Sequence, residues 1–174
     1  MVLTAAQFAD LMPDATQLHS DEPEMESSLH YTQLALLASC LEELWRDRSD
    51  FFIGANLTIY FSRQQLKNRD FRGPDFFLVK QTQKQPRRSW VVWEEDGKYP
   101  DLIIELLSPA TAESDKTLKK TLYQDRFRTP GYFWFSPHRS AIRSHSCHSR
   151  RLFVERSTGF ISRFTSRAVA LLHA

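Results

Sequence analysis

The sequence has few cysteines and few glycines, and both shortages exclude classes of protein. Two cysteines among 174 residues, Cys40 and Cys147, build no disulfide framework and fit no CxxC pattern. The five glycines are scattered singly, without a P-loop or a GxGxxG phosphate cradle. Enzymes that bind a nucleotide cofactor through such loops are therefore disfavoured.

The sequence also lacks an apolar run long enough to cross a bilayer. Its beginning carries Asp10 and Asp14 where a secretion signal would carry basic residues. We therefore expect a cytoplasmic protein without a membrane partner. With 41% hydrophobic and 13% aromatic residues, the chain can form one domain with a substantial core.

The net charge of +2 is unevenly distributed. Residues 1–136 contain 16 Lys and Arg against 20 Asp and Glu, whereas residues 137–174 contain 7 against 1. We predict an N-terminal peripheral segment (1–20), a folded domain (21–136) and an atypical Arg/Ser/His-rich tail (137–174) that contributes little to the core. A shifted reading frame and a phosphate-contacting extension are both open explanations for this tail.

The apolar pattern predicts that strands dominate the middle of the chain and that two helices flank them. Leucines recur at helical spacing over residues 28–47, and a second helix is expected at about 113–127. Strands are expected at residues 51–61 with a bend at Gly54, at 75–79, at 101–107 and at 132–135, with 90–93 as an extension of the sheet.

A single carboxylate interrupts the most apolar of these strands. Residues 102–107 are apolar except for Glu105. An ionised carboxylate inside a buried strand costs several kcal/mol, on the order of magnitude, unless a cation, a metal or hydrogen bonds compensate it. Glu105 is therefore a candidate metal ligand.

Two further residues could join Glu105 in a site. Asp75 opens one expected strand, and Lys119 lies on the helix that follows Glu105. Two carboxylates hold Mg²⁺ or Mn²⁺ with several waters, and a nearby ammonium stabilises charge in phosphodiester hydrolysis. The structural alternatives are that Asp75 is a turn residue and that Lys119 pairs with Asp115 on the helix surface.

A series of short motifs gives the pattern a family likeness. In chain order they are Gly73-Pro74-Asp75, residues 100–111 (PDLIIELLSPAT), the trio Asp115, Lys119 and Tyr123, and residues 132–135 (YFWF). Over residues 21–136 this series resembles the Uma-two family of restriction endonucleases, which is abundant in cyanobacteria. The resemblance implies the PD-(D/E)xK nuclease fold, an α/β fold in which helices flank a mixed central sheet. It also implies a divalent metal at the active site and a nucleic-acid partner, DNA.

The resemblance also implies roles for individual residues. Asp75 matches the first acidic ligand, Glu105 the acidic residue of the (D/E)xK element, and the Leu106 carbonyl a backbone ligand. The motif lysine is missing, because its position is Leu107. Glu105 and Leu107 share one face of the strand, so a substitute must reach that face from elsewhere. Lys119 is the expected substitute, with Lys120 as the reserve.

Several weaker candidates remain. Glu26 and His30 resemble the family's acidic and histidine residues before the first helix, and we include Glu26 among the catalytic candidates, although a capping Glu and a surface His are equally open. Arg87 with Arg88 either binds phosphate or solvates a loop. The cluster of His145, Cys147 and His148 is more simply explained by local composition than by zinc.

Two functions from different classes follow. The first is a metal-dependent DNA endonuclease that uses Mg²⁺ or Mn²⁺. The second is a catalytically inactive module on the same scaffold, which binds nucleic acid or another protein. A homodimer is left open. The near-neutral net charge does not favour strong non-specific DNA binding by the monomer.

Overall fold

The computed structural model describes residues 4, 7, 18–22, 25, 27–62, 64–65, 73–108, 115–135 and 142–146. These residues form, in chain order, α1 (Ser28–Leu44), β1 (Phe51–Ala55), β2 (Ile59–Tyr60), β3 (Phe76–Lys80), β4 (Trp90–Val91), β5 (Leu102–Leu106), a π-wound helix (Asp115–Lys119 and Leu122–Arg126), β6 (Gly131–Phe135) and β7 (Ile142–Ser146). No helix within the described ranges is long and apolar enough to cross a membrane.

The centre of the molecule is a five-stranded mixed sheet with strand order β1-β3-β5-β6-β7. Strands β5 and β6 are parallel, while the other neighbours pair antiparallel. Parallel neighbours require a crossover connection, and the π-wound helix lies in the segment that connects β5 to β6. The predicted α/β fold with a mixed sheet flanked by helices is confirmed.

Apolar side chains cover both faces of this sheet. On one face α1 packs against alternate residues of the strands through a buried cluster: Leu34, Leu37, Leu41, Trp45, Phe51, Phe76, Leu78, Leu102, Ile104 and Leu106. On the other face the π-wound helix and the short strands join a second cluster: Phe52, Ile59, Phe77, Val79, Trp90, Val92, Ile103, Leu107, Tyr123, Phe127, Tyr132 and Trp134. The domain thus has helix, sheet and helix layers.

The central position of β5 determines where its carboxylate points. Ile104 and Leu106 face α1, whereas Ile103 and Leu107 face the layer that contains the π-wound helix. Side chains alternate along a strand, so Glu105 shares the face of Ile103 and Leu107. Its side chain is fully buried there.

Two details differ from the sequence-based predictions. The bend expected at Gly54 is absent, because Gly54 lies within β1 and leaves room for the Phe77 ring, which would lie 2.1 Å from an added Cβ. The strand instead ends near Asn56, which adopts a positive φ of 48°. Residues 90–91 do not extend the main sheet, because β4 pairs with β2 in a separate parallel pair.

The sheet continues past residue 136. All five residues of β7 pair with β6 and form the edge strand. The expectation that residues 137–174 contribute little to the core stays a prediction, although residues 142–146 add a strand to the sheet. The division into segments 1–20, 21–136 and 137–174 stays a prediction, and the short strands expected near residues 152–154 and 160–161 lie outside the described residues.

Candidate active site

Glu105 lies at the centre of a polar cluster on the buried face of β5. Lys119 Nζ lies 3.2 Å from each of the two Glu105 carboxylate oxygens. The Tyr123 hydroxyl donates to Glu105 Oε1 at 3.1 Å. The Lys119 side chain is 16% exposed, so the pair connects the interior with the surface. Lys119 thus reaches the face that the sequence assigned to a substitute lysine.

The π-wound helix brings both partners of Glu105 to the same side. Lys119 and Tyr123 are four residues apart and both contact the same carboxylate. The widened winding continues to Phe127, whose N–H donates to the Leu122 carbonyl five residues earlier. Such widened turns occur frequently at functional sites. The described part of the helix predicted at about 113–127 lies where expected, although its π winding was not predicted.

Two hydrogen bonds join Asp75 to the end of β5. The Leu106 N–H donates to Asp75 Oδ2 at 2.6 Å, and the Asp75 N–H donates to Glu105 Oε2 at 3.3 Å. In an extended strand the N–H and C=O of one residue point to the same side. By this rule the Leu106 carbonyl is expected on the side of Asp75, and its role as a backbone ligand stays a prediction.

The turn before Asp75 is shaped by Gly73. A Cβ at Gly73 would lie 2.4 Å from the Leu57 carbonyl oxygen and 3.0 Å from Thr58 Cα, so a side chain has no room there. The Gly73 carbonyl accepts a hydrogen bond from Lys119 Nζ at 3.4 Å. The turn thereby supplies both an acidic side chain and a backbone acceptor to the cluster.

His30 enters the cluster from the other side of the sheet. Its Nε2 lies 3.2 Å from Asp75 Oδ1, and the two side chains are 12% and 19% exposed. His30 lies in the first turn of α1, where its N–H is capped by the Ser27 hydroxyl at 3.2 Å. The alternative of an exposed surface histidine is therefore wrong. Glu26, the other candidate of this segment, lies outside the described residues.

Comparisons with known proteins agree with this fold. The family model described as "Putative restriction endonuclease" (Uma2) matches residues 12–156. The chain belongs to this family. The match extends beyond residue 136, where the motif resemblance was expected to end. A comparison with curated proteins found no match.

A solved structure has a similar fold. It is described as a putative nuclease belonging to DUF820 from Anabaena variabilis, and it superimposes with a TM-score of 0.57 at 15% sequence identity. The similarity covers 95% of this chain and 93% of that one. At this level of identity the likeness shows the fold alone.

The sequence of this Uma2 chain did not reveal one further member of the cluster, Glu22. Its Oε1 accepts hydrogen bonds from the Gly73 N–H and from the Thr58 hydroxyl. Burial raises the pKa of Glu22, and the negative charge of Asp75 raises it further, while both hydrogen bonds and the Lys119 ammonium lower it. The only sequence signal was the acidic composition of residues 21–26.

The donor set fits a hard divalent cation. Asp75, Glu105 and Glu22 bring three carboxylates to the cluster and Lys119 one ammonium, so the carboxylates are in excess. Mg²⁺ is commonly held by one or two carboxylates together with waters. Among the described residues no group of three or more His, Cys, Asp or Glu side chains suits a metal ion, and Mg²⁺ does not require one. Of the weak zinc cluster, His145 lies in β7, and Cys147 and His148 lie outside the described residues.

Arg87 has a structural position that neither sequence-based alternative anticipated. Its guanidinium forms a two-pronged ion pair with Glu95, including a 3.0 Å contact from Nη2 to Oε2, and the two side chains are 7% and 18% exposed. The guanidinium also lies 4.7 Å from the Phe52 ring centroid and 5.0 Å from that of Trp90. Arg87 therefore neither solvates a loop nor offers a free phosphate contact.

Proposed function

We propose that this protein is a metal-dependent endonuclease that hydrolyses phosphodiester bonds in DNA. Asp75, Glu105 and the Leu106 carbonyl would hold Mg²⁺ or Mn²⁺. The observation that carries the proposal is the ammonium of Lys119, 3.2 Å from both oxygens of the buried Glu105 and 3.4 Å from the carbonyl oxygen of Gly73. Membership of a family described as restriction endonucleases supports it, as does the fold shared with a protein described as a nuclease.

A bound Mg²⁺ or Mn²⁺ would polarise the phosphoryl group and lower the pKa of an attacking water. In the hydrolysis, the water oxygen forms a new bond to phosphorus, one bond from phosphorus to a deoxyribose oxygen breaks, and the leaving oxygen takes up a proton. Asp75 and Glu105 supply the negative charge that attracts the cation. Lys119 then stabilises the negative charge that develops on the phosphoryl oxygens.

Lys119 is better placed for this role than the residue at the motif position. Leu107 is buried and belongs to the apolar cluster on the π-helix face, so it offers no charge to a substrate. Lys119 brings its ammonium to the same face from the helix, and it remains 16% exposed. The helix therefore supplies the lysine that the family motif places on the strand.

Metal is expected to control substrate binding as well as chemistry. Without metal, the carboxylates outnumber the ammonium and leave the cluster negative, which repels a phosphodiester. A divalent cation offsets this negative charge and gives the phosphate a positive partner. DNA affinity should therefore rise when Mg²⁺ is added, although added salt alone weakens binding to DNA.

The test is a plasmid nicking assay with Mg²⁺ or Mn²⁺ and an EDTA control. We expect the folded Glu105→Gln variant to lose at least about 100-fold in cutting, because the amide keeps the shape but not the charge that the metal requires. Glu43→Gln is the matched control, since Glu43 lies on α1 with a side chain that is 76% exposed.

Two results would contradict the proposal. Cutting at the wild-type rate by folded Glu105→Gln protein would exclude the metal role of Glu105. Metal-dependent DNA binding without any cutting by the wild type would instead favour the inactive nucleic-acid-binding module on the same scaffold.

A further inference from the structure

The segment of residues 18–22 lies along β2 and the start of β4, held by hydrogen bonds over most of its length. The Ser20 N–H donates to the Arg88 carbonyl at 2.8 Å, and the Asp21 N–H donates to Thr58 Oγ1 at 2.8 Å. Two side chains reach back to its carbonyls: Ser89 Oγ donates to Leu18 O at 2.7 Å, and the Tyr60 hydroxyl donates to His19 O at 2.8 Å. The place of Glu22 is therefore fixed by the fold.

At the end of this segment, one carboxylate oxygen of Glu22 accepts hydrogen bonds from two donors. Oε1 accepts from the hydroxyl of Thr58 at 2.8 Å and from the N–H of Gly73. The carbonyl of the same glycine accepts from Lys119 Nζ. The Gly73 residue is thus held through its N–H by Glu22 and through its carbonyl by the lysine of the proposed site.

The turn at Gly73 has little freedom to find another partner. The Leu57 carbonyl oxygen and the Thr58 backbone crowd the α-carbon of Gly73 so closely that a Cβ would not fit. A backbone N–H that loses its acceptor in such a place remains unsatisfied. Asp75 follows two residues later, so the position of its carboxylate depends on the orientation of this turn.

We infer that Glu22 is a positioning residue, whose Oε1 holds the Gly73 N–H and thereby sets the carboxylate of Asp75 for a divalent cation. The inference rests on the proposed function of the site. For this role Glu22 needs the length of its side chain and an acceptor oxygen, but it does not need its negative charge. Residues that orient metal ligands typically change metal affinity by about 10- to 100-fold when they are replaced.

A pair of variants separates these properties. Glu22→Gln keeps the length and an acceptor oxygen but removes the charge, whereas Glu22→Asp keeps the charge but is one methylene too short to reach Gly73 with unchanged backbone. Mn²⁺ binding by the full chain without nucleic acid is measured by isothermal titration. We expect Glu22→Gln to bind nearly as the wild type does, and Glu22→Asp to bind about 10- to 100-fold more weakly. Asp21→Asn is the control for a charge lost from the adjacent residue.

Hydrogen exchange of the Gly73 amide, followed by NMR without metal, provides a second readout. We expect slow exchange in the wild type and in Glu22→Gln, and at least about tenfold faster exchange in Glu22→Asp, because the amide opens to water when its acceptor is lost. Equal exchange in all three proteins, or equal damage in both variants, would overturn the positioning role. A wild type that binds no Mn²⁺ would overturn the proposed function, and the exchange data would still decide whether Glu22 holds Gly73.

Discussion

The Arg87–Glu95 pair and the Lys119–Glu105 pair both bring opposite charges together with little exposure to solvent, but they are built differently. All five N–H donors of Arg87 have acceptors: both carboxylate oxygens of Glu95, the carbonyls of Gln83 and Gln85, and the Thr82 hydroxyl. The planar guanidinium also stacks on two aromatic rings. The guanidinium therefore has no N–H left for a ligand.

The Lys119–Glu105 pair uses a compact and movable charge. The ammonium lies at the same distance from both oxygens of Glu105, without the fixed fork of an arginine. A second acidic side chain, Asp75, lies next to it with 19% of its surface exposed. A divalent cation could take over the role of counter-charge to Glu105, whereas nothing of the kind could replace Arg87. The Arg87–Glu95 pair is therefore built to stabilise the structure, whereas the Lys119–Glu105 pair can exchange its counter-charge for a cation.

The largest effect on stability is expected from removal of the Arg87 guanidinium. Arg87→Met should lower the free energy of unfolding by about 3–5 kcal/mol, because it leaves the largely buried Glu95 without its cation. Chemical denaturation measures the change, and Mn²⁺ should not restore the loss. Arg88→Met is the matched control, since Arg88 is exposed. A loss below about 1 kcal/mol would mean that the Arg87–Glu95 pair stabilises the fold no more than an ordinary surface ion pair does.

The second prediction concerns the ammonium of the candidate site. Lys119→Met should lower the turnover number by about 10²- to 10³-fold, as expected when one donor to a developing negative charge is removed. The variant should also be less stable without metal, because the buried Glu105 loses its counter-charge. Added Mn²⁺ should restore the melting temperature, since a cation that binds only the folded state stabilises it.

Lys120→Met is the control for this substitution, because it removes the same charge one residue away. Nearly unchanged turnover is expected for Lys120→Met. A loss confined to Lys120→Met would move the catalytic role to that residue. If the melting temperature of Lys119→Met does not change when Mn²⁺ is added, metal does not reach Glu105.

The smallest effect is expected from the Tyr123 hydroxyl. Tyr123→Phe removes one hydrogen bond to a carboxylate, which contributes about 1.5–3 kcal/mol to stability. The ring contacts with Phe127 and Tyr132, both at centroid distances of 5.3 Å, should survive. Thermal and chemical denaturation measure the loss.

Tyr60→Phe provides the comparison for Tyr123→Phe. The Tyr60 hydroxyl donates to the neutral His19 carbonyl, and such a bond contributes only about 0.5–1.5 kcal/mol. Equal losses in the two variants would mean that the Tyr123–Glu105 bond contributes no more than a hydrogen bond between neutral groups.

The central part of the site was predictable from local pattern. The apolar run around Glu105 predicts a buried strand, and the alternation of side chains predicts that a substitute for the missing lysine must reach the face of Leu107. Lys119 does reach that face. The buried strand follows from neighbours within one segment, whereas the missing lysine was known only from the family resemblance. The alternation of side chains then determined which face a substitute must reach.

Other parts depend on contacts between distant segments. Glu22 could not be chosen from the acidic residues around it, because its role follows from the docking of residues 18–21 against β2 and β4. Arg87 lies in a polar stretch that is typical of an exposed loop, and its burial arises only where Phe52 and Trp90 meet. The edge strand β7 lies in a segment whose composition suggested a dispensable tail.

The two hydrogen bonds between Asp75 and β5 have a consequence for the precision of the candidate site. Strand β3 pairs Phe76 with Ile104, and one more step of this register places Asp75 opposite Glu105. A slip of one residue would send one carboxylate to the opposite face of the sheet. The distance between the two acids is therefore set by the pairing of two central strands, so it is as resistant to change as the sheet itself.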